Sequence, residues 1–207
     1  MKPSTINTIL IGGTSHVGKS TVATELSDKL KWEYRSTDKL ARHPGRPWNN
    51  QGKPLKDRVR EHYENLTVPE LLTDVLRHYK ENVAPPILDI LNETGAKGLV
   101  LEGSAIWPKH LANQLDQKVK AFWLTIPEQA IERRIYTESL FETRDEKDKY
   151  LIQQFLDRSI EFQRRLEKEL KALDCKFIDC SEQNITNAIQ DLLSSSTKLY
   201  RLRVNIE

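Results

Sequence analysis

The stretch Gly13-Thr14-Ser15-His16-Val17-Gly18-Lys19-Ser20 follows the apolar run Ile9-Leu10-Ile11 and spells G-x-x-x-x-G-K-S. This is the pattern of a phosphate-binding loop, or P-loop, which joins a strand to the start of a helix. The alternative is a glycine-rich turn with an incidental lysine, which the strand–loop–helix setting disfavours. A helix is predicted directly after the loop, because the next apolar residues have helical spacing, namely Val22, Ala23, Leu26 and Leu30.

The residue types in this loop suit a nucleotide triphosphate. Two glycines let the backbone curl so that successive N–H groups converge on phosphate oxygens, and the new helix adds its positive end. Lys19 is a charge that can reach the β- and γ-phosphates, and the Ser20 hydroxyl can ligate Mg²⁺. We therefore predict ATP and Mg²⁺ as cofactors, held by Gly13, Thr14, Ser15, His16, Val17, Gly18, Lys19, Ser20 and Thr21.

The composition narrows the class of protein. The 207 residues carry 32 basic and 30 acidic side chains, which argues against broad nucleic-acid binding. No apolar run approaches the ~18 residues of a membrane span, and the first residues lead into a strand without room for a signal peptide. Cys175 and Cys180 are predicted to be reduced core thiols. We expect a cytoplasmic protein with a small-molecule acceptor; the sequence predicts no oligomeric state.

Strand-like runs alternate with helical patterns, which predicts one α/β domain over residues 1–207 with a parallel sheet covered on both faces. Two segments interrupt this alternation. Residues 39–94 are predicted to be an acceptor-binding insertion, turn-rich and then helical, and residues 136–150 a charged lid. Residues 194–207 are a C-terminal tail. The predicted strands are Thr8–Gly12, Glu33–Ser36, Gly98–Glu102, Ala121–Ile126 and Lys176–Asp179.

Acidic residues end two of the predicted strands. Glu102 follows the apolar run Leu99-Val100-Leu101, and Asp38 comes just after the second strand. Open α/β sheets bind ligands at this edge. Glu102 could orient water on Mg²⁺ or meet the acceptor, or it could cap the next turn. Asp38 could act as a base toward an acceptor hydroxyl, or it could cap a short helix.

The turn after Asp38 carries Arg42 and Arg46. Guanidinium groups pair bidentately with carboxylate or phosphate, so two of them beside a phosphate site favour an anionic acceptor. A solvated basic loop is the alternative. Trp48 and Trp107 could wall an acceptor pocket or could be packing residues.

Further arginines flank or occupy the second interrupting segment. Phosphoryl transfer needs cations around the moving charge, often on a segment that closes and excludes water. Arg134, Arg144 and Arg158 are our candidates for this role.

The order of these motifs resembles the nucleoside-monophosphate-kinase-like P-loop kinases. The resemblance runs from about residue 7 to 193 and rests on the P-loop, Thr37-Asp38, Glu102-Gly103 and the arginines. It implies a five-stranded parallel sheet in the order 2-3-1-4-5, ATP and Mg²⁺, a helical acceptor insertion and a closing lid. It also implies that Arg134 lies near the adenine, and that Arg144 and Arg158 lie near the transferred phosphoryl group.

The chain departs from the nucleotide kinases of that superfamily in two places. Where adenylate-kinase-type enzymes have D-G-[FY]-P-R, this chain reads Glu102-Gly103-Ser104-Ala105-Ile106 and has no arginine. Where the pattern has a second arginine after Arg134, this chain has Glu138. It looks closer to the 2-phosphoglycerate-kinase-like, zeta-toxin-like and chloramphenicol-phosphotransferase-like branch, in which an aspartate at the position of Asp38 serves the acceptor hydroxyl.

The resulting hypothesis is an ATP-dependent phosphotransferase that acts on a small, anionic metabolite. Its candidate catalytic residues are Lys19, Asp38, Glu102, Arg144 and Arg158, with Asp38, Arg42 and Arg46 binding the acceptor. Three alternatives stay open: a nucleoside monophosphate kinase, an ATP-binding switch without a small-molecule acceptor, and a polynucleotide 5′-hydroxyl kinase, which the balanced charge disfavours.

Overall fold

A computed structural model describes residues 6–41, 43–50, 54–93, 98–111, 118–175, 177–181 and 189. Arg42 and the predicted tail 194–207 lie outside the described residues. The strands are β1 (Thr8–Gly13), β2 (Glu33–Ser36), β3 (Leu99–Glu102), β4 (Val119–Thr125) and β5 (Phe177–Asp179). The helices are α1 (Lys19–Leu30), α2 (Asp57–Asn65), α3 (Val68–His78), α4 (Ala84–Glu93), α5 (Pro108–Leu111), α6 (Glu128–Ser139) and α7 (Glu146–Ala172). Across these ranges, no helix combines the length and apolar character that crossing a membrane requires.

The five strands form one parallel sheet in the order β2-β3-β1-β4-β5, which confirms the predicted fold class. The central strand β1 pairs with β3 on one side and β4 on the other. The carboxyl ends of β1, β2 and β3 therefore meet at one edge, where Ile11 and Ser36 both pair with Glu102. The P-loop leaves the sheet at this edge, as ligand sites of open α/β sheets do.

The central strand is buried on both faces because helices cover both sides of the sheet. Alternate residues of a strand point to opposite faces. Ile9 and Ile11 accordingly pack in one apolar cluster with Leu26 of α1, while Leu10 packs in a second cluster with Ile87 of α4. Burial on two faces explains why this strand reads as a continuous apolar run in the sequence.

β4 begins at Val119, before the predicted start at Ala121. Lys120 interrupts the apolar pattern there, so the sequence does not indicate that the strand begins before this lysine. In the structure the Lys120 side chain is only 9% exposed, and its ammonium lies 5.4 Å from the centre of the Phe122 ring. A long aliphatic stem can be buried in this way while its charge stays near the surface.

The segment between β2 and β3 is turn-rich and then helical, as predicted, and its described residues form α2, α3 and α4. A π-helical turn over Tyr79–Val83 joins α3 to α4. Pro85 and Pro86 follow within the first residues of α4. Proline has no N–H to donate, so two adjacent prolines remove hydrogen bonds that a regular helix would need. A single wider turn accommodates this loss, and such turns are frequent at functional sites.

The predicted lid, residues 136–150, contains the end of α6 and the beginning of α7. Between these helices, Leu140 adopts a left-handed conformation and Phe141–Thr143 form a 3₁₀ turn. Asp145 then caps α7 by accepting a hydrogen bond from the N–H of Asp148. The irregular part of this segment is therefore limited to residues 140–145.

Candidate functional site

A cavity of ≈ 480 Å³ opens at the carboxyl edge of the sheet. Its walls come from the P-loop, the turn after β2, the end of β3, and helices α3, α6 and α7. Arg144 does not line it. The sequence-predicted residues that do line it are Thr14, Ser15, His16, Gly18, Lys19, Ser20, Thr21, Asp38, Arg46, Glu102, Arg134 and Arg158.

The P-loop has the backbone conformation that its glycines were predicted to supply. Gly13 and Gly18 have φ of 140° and 104°, a region that side chains disfavour. A Cβ at Gly13 would also lie 2.6 Å from the carbonyl oxygen of Leu124, so the loop start has no room for one. The Thr14 hydroxyl donates to the carbonyl oxygen of Ser159 at 2.8 Å, which anchors the loop on α7.

Lys19 is buried at the start of α1, and its Nζ donates to the carbonyl oxygen of Thr14 at 2.6 Å. Burial lowers the pKa of Lys19, while the carboxylates of Glu102 and Asp38 act in the opposite direction. An ammonium group removed from water is stabilised by any anion that enters beside it. An anion entering the cavity beside Lys19 would therefore favour its charged form.

Glu102 is 3% exposed at the end of β3, and it accepts a hydrogen bond of 3.1 Å from the Tyr34 hydroxyl. Burial and Glu102 raise the pKa of Tyr34, while the nearby Ser20 side chain acts in the opposite direction. The phenol thus contacts Glu102 and lies close to Ser20, the two residues predicted to serve Mg²⁺. Sequence reasoning missed Tyr34, because nothing distinguishes it from any other tyrosine on a strand.

Asp38 lies in a 3₁₀ turn, Thr37–Lys39, directly after β2. The alternative role, in which Asp38 caps a short helix, does not apply to this turn: the Ser36 hydroxyl is the cap and accepts the N–H of Asp38 at 3.3 Å. The Asp38 side chain stays exposed at the cavity. Thr37 packs so closely on Gly103 that a Cβ there would lie 1.7 Å from its Oγ1, which explains why glycine follows Glu102.

Glu138 joins the P-loop to the turn that carries Arg46. Its carboxylate lies 2.8 Å from Nε2 of His16 and also pairs with the guanidinium of Arg46. The Asn50 side chain donates to the Glu138 carbonyl oxygen at 2.7 Å. The glutamate that departs from the nucleotide-kinase pattern therefore has a structural partner on each side of the cavity mouth.

We expect His16 to make folding stability depend on pH. Burial, aided by Arg46, lowers its pKa from 6.5 to about 4, although Glu138 raises it. Between these values the unfolded chain binds one more proton than the folded chain, so the free energy of unfolding falls as pH is lowered from 6.5 to 4. His16 can change the free energy of unfolding by at most ~1.4 kcal/mol per pH unit.

The check is urea unfolding of wild type and His16→Asn at several pH values across this window. Asparagine tolerates the positive φ of 63° at this position. The free energy of unfolding should depend less steeply on pH in the variant than in wild type. Parallel curves for the two proteins would contradict this role.

The three candidate lid arginines have different surroundings. Arg134 donates to the carbonyl oxygen of His16 at 2.8 Å and so supports the P-loop. Arg144 donates to the Ser139 carbonyl oxygen at 2.8 Å and to Oδ1 of Asn50 at 2.9 Å, which ties the end of α6 to the loop 43–50. Of these three arginines, Arg134 and Arg158 line the cavity and Arg144 does not.

Arg158 is a largely buried cation, 9% exposed, in the wall formed by α7. Its guanidinium donates to the Tyr63 hydroxyl at 3.1 Å and lies 4.6 Å from the centre of the Phe155 ring. Among the described residues, no carboxylate lies within ion-pair distance of it. A buried charge with only neutral partners favours an anionic ligand.

The cavity is also lined by His43, His78 and Tyr79, none of which was a predicted site residue. Burial lowers the pKa of His43 to about 3, with Arg158 adding to the effect, so this imidazole is neutral at pH 7. Burial raises the pKa of Tyr79 to about 12, although Arg158 and the nearby Ser104 side chain act in the opposite direction. The π-helical turn that begins at Tyr79 shapes this part of the cavity.

Trp48 and Trp107 do not line the cavity, which confirms the packing interpretation for both. Trp48 is buried between the rings of His16 and Phe155, at centroid distances of 5.9 and 4.9 Å. Trp107 packs on Phe162 at 4.9 Å. Cys175 and Cys180 are free, buried thiols, also as predicted.

No protein-family model and no curated protein matches this sequence. Solved structures with a similar fold include a gluconokinase from Sinorhizobium meliloti 1021 (14% identity, 92% of this chain and 98% of that chain covered, TM-score 0.46) and a shikimate kinase from Acinetobacter baumannii in complex with shikimate (17%, 94% and 97%, 0.46). A sugar kinase from Janibacter sp. HTCC2649 has 18% identity, covers 92% of this chain and 96% of its own, and has a TM-score of 0.50. At such identity a likeness shows the fold alone, which is the fold of the P-loop kinases.

Proposed function

We propose that the protein is an ATP-dependent phosphotransferase whose acceptor is a small, anionic, hydroxylated metabolite. One observation carries the proposal: a single cavity contains the P-loop lysine, the carboxylate of Asp38, and the buried, carboxylate-free guanidinium of Arg158. A triphosphate site alone needs only the first of these. The other two supply a base and an anion-binding group on the acceptor side.

The residues of the P-loop fit a triphosphate with Mg²⁺. Lys19 has a backbone carbonyl as its hydrogen-bond acceptor, and a phosphate oxygen can replace it. Ser20 would hold Mg²⁺, with Glu102 acting through water and Tyr34 orienting the Glu102 carboxylate. When bound, ATP supplies the phosphoryl group and Mg²⁺ neutralises charge on its oxygens. Arg134 supports this site through the His16 carbonyl and faces the region where we place the base of the nucleotide.

The acceptor would lie between Asp38 and α7. Asp38 is exposed to the cavity and can accept the proton of an acceptor hydroxyl as its oxygen attacks phosphorus. Arg158 would bind the anionic group of the acceptor or the transferred phosphoryl group. Arg46 would add a second cation, since its paired guanidinium retains further N–H donors. We keep Arg42 as a candidate of the same kind, residues 39–94 as the acceptor-binding part, and 136–150, with Arg144, as the lid.

A direct test is a screen of hydroxylated carboxylates, sugar acids and phosphorylated polyols for ADP formation from ATP and Mg²⁺. We expect one chemical class to raise turnover at least tenfold over ATP alone, and neutral analogues without the anionic group to fail. Stimulation by nucleoside monophosphates would instead identify a nucleotide kinase. ATP binding without stimulation by any compound would favour a regulatory switch.

A further inference from the structure

A cluster of metal-ligating side chains lies beside the cavity. It is formed by His43 of the loop after β2, His62 of α2 and Asp74 of α3. One ligand atom from each residue lies within 4.8 Å of the other two. His43 Nε2 and His62 Nδ1 are both 4.0 Å from the same oxygen, Oδ2 of Asp74.

The hydrogen bonding leaves these atoms available to a cation. Nε2 of His43 is buried and has no hydrogen-bond partner among the described residues. Its Nδ1 accepts a long hydrogen bond of 3.4 Å from the N–H of Gly45, which is lost when a metal binds Nε2 and the ring proton moves to Nδ1. The other carboxylate oxygen of Asp74, Oδ1, pairs with the guanidinium of Arg77, which holds Oδ2 toward the two imidazoles. Outer-shell partners of this kind orient the ligands of metal sites. His78, whose ring is 5.1 Å from that of His43, adds another buried nitrogen without a partner in the described part of the chain.

The distances between the three ligand atoms are somewhat longer than those around a bound metal. Zn²⁺ binds imidazole nitrogen and carboxylate oxygen at about 2.0–2.2 Å, so ligand atoms around it are roughly 3.3 Å apart. The two imidazole nitrogens are each 4.0 Å from Oδ2 of Asp74, and all three atoms lie within 4.8 Å of one another, so a metal would draw them together by about 1 Å. Two nitrogens and one carboxylate oxygen are a donor set for zinc and similar first-row divalent metals rather than for Mg²⁺, which prefers oxygen ligands.

Ring packing alone explains the cluster less well. The rings of His43 and His62 meet edge to face at 5.5 Å, which apolar aromatic residues would do as favourably. Apolar residues would also avoid the cost of a buried ring nitrogen without a partner opposite a carboxylate. The positive charge of Arg158 disfavours a cation at this cluster, whereas the negative charge of the Asp74 carboxylate favours one.

We propose that His43, His62 and Asp74 form a transition-metal site of the zinc type that fastens the loop 43–50 onto α2 and α3. The three ligands come from three separate elements, so the metal cross-links them. The loop carries Arg46 and borders the cavity, so the metal would fix one wall of it. This site is independent of the proposed function, and its test needs no nucleotide or acceptor.

The test is titration of the metal-free full-length protein with Co²⁺ and Zn²⁺ in excess Mg²⁺, which occupies oxygen-rich sites. We expect one equivalent of Co²⁺ to produce the visible absorption of a nitrogen- and oxygen-ligated site, and one equivalent of Zn²⁺ to abolish it. Zn²⁺ should also raise the midpoint of thermal unfolding. His62→Gln should weaken Zn²⁺ binding by about 100-fold or more, since one of three protein ligands is lost.

His110→Gln is the matched control, because His110 also has a buried ring nitrogen without a partner in the described residues but lies on α5, outside the cluster. It should bind the metals as wild type does. Asp74→Asn, checked for folding by circular dichroism, provides a second variant if His62→Gln does not fold. Absent binding by wild type, or equal affinity in a folded ligand variant, overturns the proposal.

Discussion

Replacement of Lys19 by methionine is expected to lower ATP-dependent turnover at least ~100-fold, the loss typical of removing one preorganised electrostatic group. Methionine retains the buried aliphatic stem of Lys19 and removes only its ammonium. The unfolding midpoint of the ligand-free protein should change little, because the lost charge is a desolvated one whose pKa burial already lowers. Turnover is measured by coupled ADP detection, and stability by thermal unfolding.

Lys29→Met is the matched control, since Lys29 lies in the last turn of the same helix and is exposed. It should match wild type in both measurements. Wild-type turnover in Lys19→Met would remove the proposed donor site altogether, whereas a large loss of stability would show that Lys19 has mainly a folding role.

Asp38→Asn is expected to reduce acceptor-stimulated turnover by about 10²–10⁴-fold while leaving ATP binding intact. Asparagine has the same shape but does not accept the hydroxyl proton. The turn itself should persist, because Ser36 caps it through the backbone N–H of residue 38 rather than through the aspartate side chain. The measurement compares the best acceptor from the screen with ATP alone, together with nucleotide affinity by calorimetry.

Asp28→Asn, at an exposed position on α1, controls for the loss of one negative charge. Stimulated turnover that is equal in Asp38→Asn and wild type would refute the role of Asp38. A parallel loss of ATP affinity would show instead that Asp38 acts on the donor side, through its effect on the charge of Lys19.

The sequence predicted most of the fold because the chain marks its strands with apolar runs and its P-loop with fixed residues. The order of the strands came only from the family resemblance, since periodicity does not say which strands are neighbours. The start of β4 was missed because Lys120 is buried by its stem. The π-helical turn was missed because its cause, Pro85 and Pro86, reads equally well as the end of a helix.

From the sequence we could predict those candidate site residues whose role is indicated by a short local motif. Glu102 ends a strand, and the P-loop residues and Asp38 lie just after strands, so their convergence at one sheet edge follows from topology. Residues whose role depends on contacts across the fold were missed. Tyr34 matters because of Glu102, and Glu138 because of His16 and Arg46.

The hydrogen bond from Thr14 to Ser159 joins residues 145 positions apart. The P-loop acquires this anchor only when α7 packs on it, and contacts between residues so distant in sequence are slow to form. A ligand of this loop therefore binds the folded chain and not the unfolded one. Its binding free energy adds to the stability of the entire domain, which makes ligand-dependent melting a measure of complete folding.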